Sequence, residues 1–276
     1  MAPRLECPLV KKAICRGAVM VEARDIISRD RLARRRNSDV KDPSRDDGQR
    51  CGEGRHRTGL ACSLYSMENR VIRTIFFDYD GVLTTDKSGS QTTFRYLSEA
   101  SGIALSTISA AFSPYSGDLF TGKVSHAKIW HKVCEAMGKA LDIDLLAAAF
   151  ESTPRNHGMF SLAQTLRANY SVGIITDNNK DRMDHLRKHQ ALDALFSPIV
   201  VSAEVGSSKH GQDIFLHATS RADVAPVESI FIDNSEANLV VARALGMHTV
   251  FHDDEKNDID ALTRALESLG VRVGCH

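Results

Sequence analysis

The sequence has few of the features that mark a membrane protein, a disulfide scaffold or a metal-cluster protein. Its 276 residues include one tryptophan and six cysteines, and 35 basic side chains balance 35 acidic ones. No two cysteines have Cys-x-x-C spacing. No apolar run approaches the roughly 20 residues that span a bilayer, so no membrane partner is expected. Apolar residues make up 42% and charged residues 25%, as in globular proteins.

Charge and cysteine are unevenly distributed along the chain. Residues 1–66 hold 15 basic and 9 acidic side chains, whereas residues 67–276 hold 20 and 26. The mildly acidic body argues against nucleic acid as a partner, because phosphate backbones require a basic face. Four cysteines lie in residues 1–66, and the other two are too distant from each other to indicate a disulfide scaffold. We therefore expect a cytoplasmic location.

Residues 1–66 are predicted to be a disordered or non-native leader. No aliphatic residue lies between Val40 and Leu60. Such a segment buries too little apolar area to offset the entropy lost on ordering. Its acidic residues argue against a transit peptide, and charged residues interrupt any secretion signal. Met67 is a candidate native start, which the intact mass of the protein from its native source would test.

Residues 67–276 alternate short apolar runs with helical patterns. Strands are predicted at residues 71–77, 172–176, 198–202, 229–233 and 248–251. Helical spacing occurs in two groups between them, Met159, Leu162, Ala163 and Leu166, and Ala237, Val240, Val241 and Ala244. This alternation predicts an α/β fold with a parallel, doubly wound sheet. Its core would comprise residues 67–84 and 156–276.

Residues 85–155 interrupt the alternation. They show helical periodicity, as in Ile129, Trp130 and Val133, but no convincing strand. Because a crossover between neighbouring parallel strands needs only one helix, we predict that this interval forms a separate, small all-helical cap domain. The alternative is that its helices extend the main helical layer.

The first predicted strand ends at two carboxylates. The run Ile75–Phe77 is followed by Asp78 and Asp80, and Gly81 then allows the chain to turn. Ligands of open α/β sheets bind outside the carboxyl ends of the strands, so chemistry is expected here. An ordinary strand that ends in an Asp-rich turn would show the same residues.

Polar residues follow three later strands as well. Thr176 and Asp177 follow the second predicted strand, Lys209 the third and Asp233 the fourth. Each alone fits a helix cap, a solvated lysine or a turn. Together with Asp78 they place carboxylates, a hydroxyl and an ammonium at one sheet edge. That combination favours phosphoryl transfer.

Each of these groups has a role in such chemistry. Asp78 can attack phosphorus and form an acyl phosphate. Asp80 can protonate the leaving alkoxide and later deprotonate the attacking water. Lys209 and the Thr176 hydroxyl can bind the phosphoryl oxygens. Asp78 and Asp233 offer the hard oxygen ligands that Mg²⁺ prefers.

These motifs resemble those of the haloacid dehalogenase-like (HAD) hydrolase superfamily over residues 70–270. Residues 78–82, Asp-Tyr-Asp-Gly-Val, resemble its first motif. Thr176, Lys209 and Asp233 resemble the second, third and fourth, in the same order. The resemblance implies a Rossmann-like core with the first strand central, a helical cap inserted after the first motif, and Mg²⁺ as cofactor.

The resemblance also implies roles for individual residues. The implied set is catalytic Asp78, Asp80 and Lys209, phosphate-binding Thr176, Asp177 and Lys209, and metal-binding Asp78, Asp80 and Asp233. Dehalogenases of the superfamily lack the acid two residues after the nucleophile, so Asp80 indicates a phosphatase. The expected partner is a small phosphorylated metabolite.

A subgroup resemblance suggests a sugar phosphate as that metabolite. Residues 122–125, Gly-Lys-Val-Ser, ahead of Trp130 resemble the small sugar-phosphate phosphatases, as does the spacing from Asp233 to Asn238.

Two positions depart from the superfamily pattern. His210 stands where a proline commonly follows the lysine, and Asn234 stands where a second aspartate is frequent. We expect the first change to make the aim of Lys209 less certain. The second should weaken metal binding without abolishing activity.

Other functions remain open at this stage. A phosphomutase would use the same aspartate but return the phosphoryl group to its substrate. A non-catalytic phospholigand-binding regulatory module could share the fold. The sequence favours no oligomeric state.

His185 and His189 have a spacing that could place two imidazoles on one metal. Arg182, Arg187 and Lys188 crowd this segment, and no H-E-x-x-H motif is present. We therefore predict a solvated helix face.

Overall fold

The central element is a five-stranded parallel sheet. The protein is described by a computed structural model over residues 71–274, so the prediction for residues 1–66 lies outside the described part. The strands are β1 (Thr74–Phe77), β2 (Ser171–Thr176), β3 (Ile199–Val201), β4 (Ser229–Asp233) and β5 (His248–Phe251). Their order is β3-β2-β1-β4-β5, and all neighbours pair in parallel. The predicted α/β sheet with a central first strand is confirmed.

Helices flank this sheet and fill the interval between β1 and β2. The helices are α1 (Gly89–Ser101), α2 (Leu105–Phe112), α3 (Ser116–Phe120), α4 (His126–Met137), α5 (Asp144–Glu151), α6 (His157–Leu166), α7 (Lys180–His189), α8 (Ser202–Val205), α9 (Asp213–Arg221), α10 (Glu236–Ala244) and α11 (Ile259–Ser268). Residues 85–154 are all described, and they contain α1 to α5 and no strand. No helix in residues 71–274 is long and apolar enough to cross a membrane.

The side-chain alternation of β1 builds a core on each face of the sheet. Ile75 and Phe77 pack into one cluster, with residues of α6 and α11, and Phe76 packs into the other, with residues of α9 and α10. A third cluster consists only of residues between 97 and 150. Helices α1 to α5 therefore have a core of their own, as a small helical cap requires.

The two chain segments that connect the cap to the sheet lie side by side. Thr84 and Arg155 form an antiparallel bridge. The backbone N–H of Asn156 donates to the Leu83 carbonyl at 2.9 Å. The domain limits of 85–155 stay a prediction, and this crossing lies at their edge.

The strand register determines which polar residues meet. Phe77 lies opposite both Ile174 on β2 and Ile232 on β4. Asp78 therefore leaves the sheet beside Asp233, the last residue of β4.

The helix predicted from the spacing of Ala237, Val240, Val241 and Ala244 is present as α10, but those residues do not form its buried face. Asn238, Leu239 and Ala242 face the protein interior, whereas Val240 is 57% exposed. The helix is rotated so that a polar residue, Asn238, points at the end of β4. The apolar periodicity of the sequence could not reveal this.

Candidate active site

Lys209 joins two carboxylates at the carboxyl edge of the sheet. Its Nζ lies 2.7 Å from Oδ2 of Asp78 and 2.7 Å from Oδ2 of Asp233. Its backbone N–H donates to Oδ1 of Asp177 at 2.9 Å. The side chain is 2% exposed and held at both ends, so His210 does not loosen its aim as expected.

Burial and the neighbouring charges shift the pKa values of Asp78 and Lys209. Removal from water raises the pKa of Asp78 to about 7, with Lys209 opposing this shift and Asp233 adding to it. Burial acts to lower the pKa of Lys209, but the carboxylates of Asp78 and Asp233 outweigh it and raise that pKa. Two carboxylates thus share one ammonium, so the three side chains carry a net negative charge when both carboxylates are ionised.

The start of α10 holds Asp233 in place. Its Oδ1 accepts the backbone N–H of Ser235 at 2.7 Å. The Asn238 amide donates to both carboxylate oxygens, at 3.2 and 3.1 Å. These bonds explain why α10 turns Asn238 inward.

Asp80 is held by a residue that the sequence did not single out as functional. Nη1 and Nη2 of Arg182 donate to its Oδ2 and Oδ1 at 2.8 and 2.9 Å, a bidentate pair. The Asn178 amide donates to Oδ2 at 2.9 Å. Every oxygen of the Asp80 carboxylate is therefore engaged.

Arg182 itself corrects the prediction of a solvated helix face. It is 2% exposed, although its neighbours Lys180 and Arg187 on α7 reach the surface. The prediction does describe His185 and His189, whose rings are partly exposed and contact Glu151 of α5. No local sequence signal separates Arg182 from these residues, because its partner lies 102 positions earlier.

Besides Lys209, the two other residues predicted to bind phosphate are placed differently from each other. Asp177 lines the cavity above the sheet, and burial raises its pKa. Thr176 is buried and lies outside the cavity lining, with its hydroxyl 3.4 Å from the Asn178 amide. Asn178, which the sequence analysis gave no role, is the cavity residue of this turn that contacts Asp80.

A cavity of about 360 Å³ covers these groups. The sheet edge contributes Asp78, Asp80, Asp177, Lys209 and Asn234. The cap contributes large apolar side chains and hydroxyls, namely Phe94, Phe112, Leu119, Phe120, Ser88, Ser90 and Ser116. The sheet side is therefore mainly charged, whereas the cap side combines apolar side chains with hydroxyls, Lys87 and His126.

Comparison with known families agrees with this geometry. The sequence model described as haloacid dehalogenase-like hydrolase matches residues 75–252, which include every residue of the sheet edge described above. The chain belongs to the haloacid dehalogenase-like hydrolases.

Solved structures of other HAD-like hydrolases share the fold. A predicted HAD-like family hydrolase from Porphyromonas gingivalis is 28% identical over 71% of this chain and 98% of its own, with a TM-score of 0.58. A HAD family enzyme from Bacteroides thetaiotaomicron, in a magnesium complex, is 25% identical over 70% and 98%, with a TM-score of 0.58. An L-2-haloacid dehalogenase is 19% identical over 65% and 84%, with a TM-score of 0.51, which shows the fold alone. The comparison with curated proteins yields no match.

The residues of this HAD-like hydrolase fit a divalent cation. Asp78 and Asp233 would hold it, since they carry the negative charge that Lys209 leaves unbalanced. Mg²⁺ is commonly bound by one or two carboxylates, with water and substrate phosphate as its other ligands. Within residues 71–274 no three His, Cys, Asp or Glu side chains converge as a metal cluster. Asp80 as a metal ligand stays a prediction, because Arg182 engages both of its carboxylate oxygens.

Proposed function

We propose that this HAD-like hydrolase is a Mg²⁺-dependent phosphatase that acts on a small phosphorylated metabolite through an aspartyl phosphate on Asp78. The observation that carries the proposal is the contact of Lys209 with both Asp78 and Asp233. This contact places a positive charge beside the buried nucleophile. Without that charge, the two carboxylates would repel an anionic substrate. We also propose the cytoplasmic location that the sequence predicts.

In the first step an oxygen of Asp78 attacks phosphorus. The bond from phosphorus to the ester oxygen breaks, and the leaving oxygen takes the proton of the Asp80 carboxyl group. In the second step water attacks the acyl phosphate and gives its proton to Asp80. Inorganic phosphate leaves, and the Asp78 carboxylate is restored.

The other groups orient the substrate and neutralise its charge. Lys209, which lies in the cavity lining, is suited to the phosphoryl oxygens. Bound Mg²⁺ would supply charge neutralisation between the two carboxylates and the phosphate. Support for this cofactor comes from the Bacteroides thetaiotaomicron enzyme, which has been crystallised with magnesium and with magnesium plus inorganic phosphate.

Asp80 is the residue that favours a phosphatase over a dehalogenase. A dehalogenase releases halide, which needs no proton, whereas an alkoxide leaving group does. Here the carboxylate lines the cavity beside Asp78 and is held in a defined orientation. The cavity volume and its mixed lining of apolar groups and hydroxyls suit a small uncharged alcohol, such as a sugar, as the leaving group.

Release of inorganic phosphate from p-nitrophenyl phosphate with Mg²⁺ tests the proposal. Asp78→Asn should lower this rate by at least about 10³-fold, as removal of a covalent nucleophile does. Asp260→Asn is a matched control, because Asp260 is exposed and is not among the residues that line the cavity. Unchanged turnover by Asp78→Asn would exclude the mechanism. Halide release from an L-2-haloacid without phosphate release would identify a dehalogenase, and an isomeric sugar phosphate would identify a mutase.

A further inference from the structure

We propose that Arg182 is a positioning residue for the Asp80 carboxylate, and that Gly89 of the cap determines where its guanidinium can lie. This inference rests on the proposed phosphatase function. It concerns how this chain aims the group that gives a proton to the leaving oxygen.

The hydrogen bonds of the guanidinium define one orientation of Asp80. Both carboxylate oxygens accept from Arg182, at 2.8 and 2.9 Å. Nη1 also donates to Oδ1 of Asn178 at 2.9 Å, and the side-chain amide of Asn178 in turn donates to Asp80. The three side chains form a closed triangle in which none can rotate without breaking a bond.

The cap completes the enclosure of Arg182. Nη2 lies 3.3 Å from the hydroxyl of Thr153, where the chain returns from the cap. Gly89, at the start of α1, packs so closely that a Cβ added there would lie 2.2 Å from the guanidinium carbon. The guanidinium is therefore bounded by the first helix of the cap and by the segment that follows its last helix.

A contribution to stability does not account well for the ion pair between Arg182 and Asp80. Nε of Arg182 is buried and has no hydrogen-bond partner among the described residues. Buried ion pairs are commonly no more stabilising than apolar side chains of the same volume, and an unpaired buried N–H adds a cost. A role in orienting Asp80 accounts for the arrangement.

The chemical consequence is a dependence on the leaving group. Nitrophenolate leaves without a proton, whereas an alkoxide must take the proton of the Asp80 carboxyl group as its bond to phosphorus breaks. The parameter kcat/KM includes only the steps up to release of the alcohol, so the later deprotonation of water does not enter it. A misplaced Asp80 should therefore slow alkyl phosphates selectively.

The experiment compares kcat/KM for p-nitrophenyl phosphate and glycerol 1-phosphate. For Arg182→Gln we expect a loss of about 10²-fold with the alkyl phosphate and of no more than about threefold with the nitrophenyl ester. Asp80→Asn should show the same selectivity, and the double variant should lose no more than Asp80→Asn alone. Arg182→Lys keeps the positive charge but loses the bidentate pair, and thermal unfolding of each variant verifies that it is folded.

Gly89→Ala tests the same geometry without changing any functional group. Its added methyl must displace the guanidinium, so we expect a selective loss of about tenfold with the alkyl phosphate. Gly117→Ala in α3 is the matched control, because a Cβ there meets no atom within 4 Å, and its kinetics should match the wild type.

Each result decides the proposal. Selective loss in Arg182→Gln and Gly89→Ala supports it. Equal losses with both substrates, or a gain with the alkyl phosphate, would overturn the positioning role while leaving the phosphatase intact. A wild-type protein that hydrolyses neither ester would overturn the proposed function and this inference with it.

Discussion

His126 of the cap is bound to Asp181 of the core by two of its own nitrogens. Its ring Nδ1 and its backbone N lie 2.8 and 3.0 Å from the same oxygen, Oδ2 of Asp181. Asp181 precedes Arg182, so the first turn of α7 contacts both the cap and Asp80. The cap is thereby linked to the residue that would serve as acid and base.

This contact should contribute stability that depends on pH. Burial acts to raise the pKa of Asp181, but the hydrogen bonds from His126 and from the Arg182 backbone outweigh it and lower that pKa. A lowered pKa in the folded state means that the stability is present above the ordinary value, about 3.9, and is lost as pH falls through the folded value. We expect Asp181→Asn to lower the free energy of unfolding by about 1 kcal/mol at neutral pH, since the carboxylate is partly exposed.

Urea unfolding of the wild type and Asp181→Asn between about pH 7 and about pH 3 measures this difference. It should shrink toward the acid end, because the carboxylate of the unfolded chain takes up a proton at a higher pH than that of the folded chain. Asp260→Asn removes an exposed carboxylate with no hydrogen bond or ion pair in the described part of the chain, and should change stability little at either pH. A difference for Asp181→Asn that grows on acidification would contradict the assigned contact.

Gly122 marks a second close approach between cap and core. It has a positive φ of 71°, and an added Cβ would lie 2.0 Å from the backbone oxygen of Ala203 in α8. Gly138 has nearly the same φ, 70°, but a Cβ there meets nothing within 4 Å. Alanine substitutions at the two glycines therefore distinguish the cost of backbone strain from the cost of a steric clash.

We expect Gly138→Ala to cost about 1–2 kcal/mol of unfolding free energy through strain alone. Gly122→Ala should cost more, because backbone of the cap and of the core must separate to make room. Chemical denaturation of both variants checks the order. Equal losses would show that the approach of Gly122 to Ala203 is not maintained in solution.

Metal binding should stabilise the folded chain through Asp78 and Asp233. A ligand at 100 times its dissociation constant adds about 2.7 kcal/mol. For a domain of this size that corresponds to a rise of about 5–10 °C in melting temperature, at about 2–4 °C per kcal/mol. We expect added Mg²⁺ to raise the melting temperature and EDTA to reverse the rise.

Asp233→Asn should abolish this rise, because it removes one of the two carboxylates. Asp193→Asn, an exposed residue paired with Arg187, should retain it. An Asp233→Asn variant with the full magnesium response would place the cation elsewhere.

Several parts of the site could be predicted because they depend on the local pattern of apolar residues and on the common direction of strands in a parallel sheet. Short apolar runs define the strands, and parallel strands bring their carboxyl ends to one edge. That is why Asp78, Lys209 and Asp233, separated by up to 155 positions in the chain, could be expected together. The structure places both carboxylates 2.7 Å from the lysine ammonium.

Other parts depend on packing between distant segments. Arg182 lies in a highly charged helix, and only its contacts with Asp80 and Gly89 distinguish it from its solvated neighbours. The buried face of α10 combines Asn238 with Leu239 and Ala242, whereas the apolar spacing that begins at Ala237 and includes Val240 lies on another face. Thr176 fits the expected motif, yet its hydroxyl lies beneath the cavity.

The sequence by itself determined the parallel sheet and the acids at its edge, because side-chain periodicity and chain direction suffice for these, whereas the central position of the first strand followed from the family resemblance and the full strand order came from the structure. Tertiary structure decided which side chains orient those acids. Hydrogen bonds and ion pairs form between groups that folding brings together. The sequence of a highly charged helix such as α7 does not indicate which of its charged side chains will be buried.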